Sequence, residues 1–137
     1  MDIQHVLVAD YAEIVNGKLY LMGGGWDTYY AREIPVQMRV AVAIGVSIEW
    51  EETNQRIPVY AYLEDDDGTQ LARIEASMQV GRPAELTAGS RQLSQLAANL
   101  SVNIKHHGGY RVRAIVGDEP NAKETTLTFR VAERKNR

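Results

Sequence analysis

From Val36 to Trp50 every even-numbered residue is apolar. Val36, Met38, Val40, Val42, Ile44, Val46, Ile48 and Trp50 alternate without a break with Gln37, Arg39, Ala41, Ala43, Gly45, Ser47 and Glu49. A period of two belongs to a β-strand, whose successive side chains point to opposite faces of a sheet. At roughly 3.3 Å per residue a straight strand of this length spans about 50 Å, well beyond the usual strand. A bend or a split is therefore expected, with Gly45 as the pivot. Ala41, Ala43 and Gly45 are small where an exposed face carries longer polar side chains. That implies a second sheet or a partner packed on that side too, making this strand a central element covered on both faces at its middle.

The remaining apolar runs are read by turn chemistry and parity. Asn16-Gly17 separates Val6–Val15 from Lys18–Met22. Both turn residues tolerate the positive φ of a type I′ hairpin, which pairs Val15 with Lys18, Ile14 with Leu19, Tyr11 with Met22 and Asp10 with Gly23. One face then carries Ala12, Ile14, Leu19 and Leu21. In a second hairpin, odd positions Ile57 to Leu63 and even positions Ala72 to Val80 share a face only across an even-length loop. A two-residue Asp67-Gly68 turn supplies one, pairing Leu63 with Ala72 and Ala61 with Ile74.

From Gly81 to Gln95 the alternation fades, which reads as a long connection with a single helical turn beginning at Pro83. Ala98 to Ile104 and Tyr110 to Val116 resume it on even positions, and an odd loop at His106-His107-Gly108 would join them as a hairpin. Gly117–Asn121 is a turn-rich loop, and a last strand near 125–132 turns Leu127, Phe129 and Val131 inward. About eight strands, frequent turns and no helix predict an all-β domain, an antiparallel two-sheet sandwich. Gly109-Tyr110 leading into an alternating run makes it immunoglobulin-like by analogy. The expected domain covers residues 1–133, with 134–137 as a short basic tail.

A chain of 137 residues can bury a self-sufficient core. Without cysteine it has no disulfide framework, thiol nucleophile or zinc–thiolate site. The net charge of −3 argues against nucleic acid as a partner. Arg111, Arg113, Arg130, Arg134, Lys135 and Arg137 concentrate positive charge toward the C-terminus, which a solvated strand face and a basic tail explain. The first residues carry no secretory signature and no apolar run approaches a membrane span, so a cytoplasmic protein without a membrane partner is expected.

The stretch from Asp10 to Asp27, Asp-Tyr-Ala followed by Asn-Gly-Lys-Leu and Gly-Gly-Gly-Trp-Asp, resembles the opening of an uncharacterised family of small proteins of bacterial and phage genomes. The resemblance covers about the first fifth of the chain and implies a β-sandwich of unknown function. It brings no catalytic residue, cofactor or substrate.

Gly23-Gly24-Gly25 before Trp26-Asp27 is the most unusual local feature. Either the glycines let a ligand approach, with Trp26, Tyr29 and Tyr30 as an aromatic wall, or they make a corner with Trp26 folded back as a core plug. Asp10, Gly24, Trp26, Asp27, Tyr29 and Tyr30 are the candidate binding residues. Tyr60 and Tyr62, opposite Val59, Ala61 and Leu63, form a candidate interface for self-association or a protein partner. Asp65-Asp66-Asp67-Gly68 reads as an acidic hairpin tip, since it lacks the ligand spacing of a calcium loop. Adjacent His106 and His107 point to opposite faces of an extended chain and chelate poorly.

No metal site or cofactor is expected. No nucleophile elbow, His-Glu-x-x-His helix, dinucleotide fingerprint or phosphate loop is present, although Asp10, Glu13 and Asp27 leave acid–base chemistry open. The expectation is a non-catalytic protein-binding or assembly module, for which the resemblance implies a phage-related role such as a virion accessory protein or host-factor binder. The alternative is a small-molecule-binding protein or an unrecognised enzyme built on the Gly23–Gly25 and Trp26 corner.

Overall fold

A computed structural model describes residues 1–134. Its strands are β1 (Asp2–Val15), β2 (Lys18–Gly24), β3 (Thr28–Ala31), β4 (Val36–Ile48), β5 (Ile57–Asp65), β6 (Gln70–Met78), β7 (Gln92–Ile104), β8 (Gly108–Val116) and β9 (Lys123–Glu133). They form a four-stranded sheet in the order β2-β1-β4-β7 and a five-stranded sheet in the order β3-β9-β8-β5-β6. The fold is an all-β sandwich. Among the described residues no helix is long and apolar enough to cross a membrane.

The alternation in β4 is used as the pattern demands. Met38, Val40, Val42, Ile44, Val46 and Ile48 are all buried, facing Val59, Ala61 and Leu63 of β5, Val112, Ala114 and Val116 of β8, and Phe129 and Val131 of β9 in one core. Each such side chain removed from water contributes about 1.5–3 kcal/mol.

β4 neither splits nor pivots at Gly45. It pairs with β7 from Val36↔Ile104 to Ile48↔Gln92 without a register shift. The irregularity falls on β1, between Ile3 and His5, where His5 lies opposite Gly45. The imidazole rests over Gly45, and a Cβ built there would collide with the ring. Gly45 is a seat for a side chain, and β4 ends three residues after it. Trp50 is outside the strand, in a short 3₁₀ turn over Trp50–Glu52.

Both expected hairpin registers are present. In β1–β2, Tyr11↔Met22 through Val15↔Lys18 flank a turn with positive φ at Asn16 and Gly17. In β5–β6, Ala61 pairs with Ile74 and Leu63 with Ala72, but the loop is longer than a two-residue turn. Asp65 accepts from Gly68 N–H and donates its own N–H to the Thr69 carbonyl, leaving Asp66–Gly68 as the loop. A bulge at Leu63/Glu64 absorbs the extra residue, so the apolar face keeps its parity.

Three further expectations are corrected. There are nine strands among the described residues, and the added one, β3, lies parallel to β9 from Thr28↔Arg130 to Ala31↔Glu133, so the sandwich is not wholly antiparallel. β7 and β8 do not form a hairpin; the chain crosses from one sheet to the other between them. β7 also begins at Gln92, inside the stretch read as connection, while Pro83–Leu86 closes a single turn through Leu86 N–H to Pro83 O at 3.0 Å. The crossing is fixed by Tyr110, whose hydroxyl donates to the His106 carbonyl at 2.6 Å. A tyrosine bonded back to the chain just upstream is a corner device of immunoglobulin-like sandwiches.

Candidate functional site

β1 serves two layers. Its first part pairs with β4 as far as Ala9↔Ala41, burying Val6 and Val8 in the main core. Beyond Ala9 it pairs only with β2, and this hairpin arm crosses the outer face of β4 to reach β7. There the Ala12 N–H donates to Asn99 Oδ1 at 3.2 Å and Asn99 Nδ2 donates to the Ala12 carbonyl at 2.8 Å. Nearer the turn, Gln95 Nε2 donates to the Gly17 carbonyl at 3.0 Å. Ala9, Ala12, Ala41 and Ala43 make a second small core beneath the arm, with Leu7, Leu19, Leu21 and Ala97 around it. The small side chains of β4 are small because the chain's own hairpin lies on them.

The bend of the arm falls at Asp10 and Gly23. Gly23 has a φ of +64°, and a Cβ on it would overlap the Asp10 carboxylate, so two constraints select glycine there. Trp26 then folds back. Its indole N–H donates to the Gly23 carbonyl at 2.7 Å, and its ring meets Phe129 edge-on at 5.8 Å and Tyr29 at 6.4 Å. The half-buried Trp26 and Tyr29 pack against the main core.

The candidate binding residues therefore divide. Asp10 and Gly24 lie at the bend, and Tyr29 packs inward. Trp26, Asp27 and Tyr30 border a shallow concavity of about 530 Å3 together with Leu7, Thr28 and Leu127. At its rim Asp27 accepts from the Thr28 hydroxyl at 2.9 Å and lies 3.4 Å from Arg130. The Arg134 guanidinium covers the Tyr30 ring at 3.7 Å. Lys135 and Arg137 of the basic tail lie outside the described residues.

Tyr60 and Tyr62 are half-buried on the outer face of the five-stranded sheet. Arg113 stacks over Tyr62 at 4.9 Å and also reaches Glu64 at 3.2 Å, while Arg111 binds Glu64 at 2.8 Å. Hydrogen bonds from Arg113 and then Arg111 hold the Glu64 carboxyl below the ordinary carboxylate range. Arg113 thus lies over one of the two tyrosines of the expected interface.

A second cleft, about 350 Å3, opens between the edges of β6 and β7, with Asp65, Lys105, His106 and Tyr110 among its lining. Asp65 Oδ1 accepts from the N–H groups of Thr69 and Asp67 at 2.9 Å each, and Oδ2 lies 3.5 Å from His106 Nε2. The N–H bonds, with that of Thr69 foremost, depress the Asp65 pKa. This carboxylate is committed to its hairpin turn. His107 is not part of the cleft, and among the described residues no three His, Asp or Glu side chains converge to hold a metal ion.

The surface that sequence reasoning passed over is the outward side of the arm. Tyr11, Tyr20 and Met22 are 42, 51 and 68% exposed there, with Val15 beside them and Glu13 and Lys18 between. The hairpin register separates these residues from Ala12, Ile14, Leu19 and Leu21, but both faces carry apolar residues and the register does not say which one is covered. These large side chains stand in water on one face of the arm, while Ala12 is buried and Ile14, Leu19 and Leu21 are half-buried on the other.

The model of a family of unknown function (DUF6941) matches residues 4–132. Among solved structures, the C-terminal domain of Wzt is similar over 97% of this chain and 74% of its own, at 8% identity and a TM-score of 0.49. The CARDB domain of a Pyrococcus furiosus protein, in complex with di-metal ions, is similar over 98% of each chain at 13% identity and a TM-score of 0.42. No curated protein matches the sequence.

Proposed function

The chain belongs to DUF6941, a family of unknown function, and from its own surfaces we propose that it is a non-catalytic protein-binding or assembly module working through the outward face of the β1–β2 arm. The observation that carries this reading is the exposure of Tyr11, Tyr20 and Met22 on a hairpin whose other side is fixed to β4 and β7. Tyrosine and methionine are enriched at protein interfaces, and an arm held by Asn99 and Gln95 presents them with little ordering left to do. The resemblance of the Asp10–Asp27 motif to proteins of bacterial and phage genomes supports a setting such as a virion accessory protein or a host-factor binder.

The test is differential capture. Wild-type protein and a Tyr20→Lys, Met22→Lys variant, each checked for an unchanged melting temperature, are immobilised and exposed to the same mixture of proteins. Partners held by the wild type and lost from the variant support the reading, and identical capture by both overturns it.

A second reading, small-molecule binding, rests on the concavity beside Trp26, where Asp27 and Tyr30 stand at an open rim. A thermal-shift ligand screen repeated on Tyr30→Ser tests it, and a ligand that raises the wild-type melting temperature equally in the variant would count against this site.

A further inference from the structure

The backbone of the arm carries a more specific instruction than its side chains. Around a two-residue turn the closing pair Val15↔Lys18 exchanges its hydrogen bonds internally, and so do the alternate pairs Glu13↔Tyr20 and Tyr11↔Met22. In the intervening pairs, Ile14↔Leu19 and Ala12↔Leu21, N–H and C=O groups point away from the hairpin. Asn99 corroborates this pattern, because its amide meets both outward groups of Ala12. The other end of that rung has no such cap. β2 is the edge of its sheet, and among the described residues no hydrogen bond from this chain reaches the outward backbone groups of Leu19 or Leu21.

We infer that a second copy of this chain fills that edge, β2 pairing antiparallel with β2 of the partner in the register that sets Leu19 opposite Leu21 and Tyr20 opposite Tyr20 across the two-fold axis. This deepens the reading of the arm as an interaction surface and rests on it. The register follows from the backbone pattern of β2. Leu19 and Leu21 are the residues whose N–H and C=O face outward, so pairing them reciprocally makes two closely bonded pairs. Their sum is even, so each face of one arm continues into the same face of the other. Tyr11, Tyr20 and Met22 of both copies then join one apolar surface.

The charges agree with this register. Lys18 and Glu13 have no ion-pair partner among the described residues. Lys18 falls opposite Met22 of the second copy, and the two ammonium groups are offset by four residues, about 13 Å along the strand and beyond the physiological screening length. No like charges meet directly. Sliding the register by two residues toward Lys18 would set the lysines nearer each other.

The chain has no cysteine, so a single introduced thiol reports the contact cleanly. At the two-fold rung the paired Cα atoms are about 4.5 Å apart, within disulfide range. Wild-type protein is weighed by light scattering over a dilution series, and Tyr20→Cys and Tyr60→Cys variants are oxidised mildly after circular dichroism confirms their fold. The expected result is a mass twice that of the monomer, a disulfide-linked Tyr20→Cys dimer, no cross-link from Tyr60→Cys, and loss of the dimer in Tyr20→Lys. A wild-type protein at monomer mass throughout the series overturns the inference, as does a dimer that cross-links through Tyr60→Cys and not Tyr20→Cys. If the protein is monomeric and the differential capture still depends on Tyr20 and Met22, the self-pairing falls and the broader reading stands. If neither occurs, both fall.

Discussion

Asn99 and Ala12 are joined as two residues of neighbouring strands would be, except that Asn99 makes both bonds with its side chain. Its amide accepts from the Ala12 N–H and donates to the Ala12 carbonyl, at 3.2 and 2.8 Å. A single side chain thereby extends the sheet's hydrogen bonding to a strand lying on top of it. Asn99→Ala is expected to cost about 1–2 kcal/mol, from two hydrogen bonds worth roughly 0.5–1.5 each. Urea unfolding measures the loss, and native-state amide exchange should show residues 11–22 opening before the main core. Uniform protection across the chain would show that the arm is held by its apolar contacts alone.

Gly45 and His5 are a matched pair. Gly45→Ala forces the imidazole off its seat in a tightly packed layer and is expected to cost about 1–3 kcal/mol. Removing the ring as well, in a His5→Ala, Gly45→Ala chain, should cost less than the sum of the two single changes, because the clash needs both partners. Additive losses in a thermal-unfolding cycle would contradict the packing described.

Trp26 separates plug from ligand wall. Trp26→Phe keeps much of the aromatic contact with Phe129 but loses the bond from indole N–H to the Gly23 carbonyl. A fall in stability of about 0.5–1.5 kcal/mol is expected. An unchanged denaturation midpoint would mean that this bond does not hold the bend.

Acid should weaken the outer face of the five-stranded sheet. Glu64 has its pKa depressed in the folded chain by Arg113 and Arg111. Its contribution is therefore complete above the unfolded value, about 4.3, and is lost as pH falls through the lower folded value. Stability measured between neutral pH and pH 2 should decline across that range, and Glu64→Gln should flatten part of the decline. Parallel curves for the two proteins would remove Glu64 from the account.

What the sequence made legible follows from the range of each interaction. The β1–β2 and β5–β6 registers depend on turns inside the hairpins, and alternation in β4 depends only on which sides are buried. The pairing of β3 with β9 depends on residues a hundred positions away, and four residues are too few to show a period. The supposed β7–β8 hairpin has a different cause. Parity asks whether two runs can face the same core, and Leu100, Val102 and Ile104 meet that condition with Tyr110, Val112 and Ala114 from the opposite sheet. At the candidate site, both faces of the first hairpin carry apolar residues, so local pattern could not say that Leu19 and Leu21 lie underneath while Tyr20 and Met22 stand in water.

The layering of the arm also orders events in time. Ala12 and its clasp on β7 are separated by 87 positions, so during synthesis the hairpin is complete long before Asn99 exists to receive it. The hairpin is made early and fastened late, and until then Leu19, Leu21 and the alanines of β4 remain open to other chains.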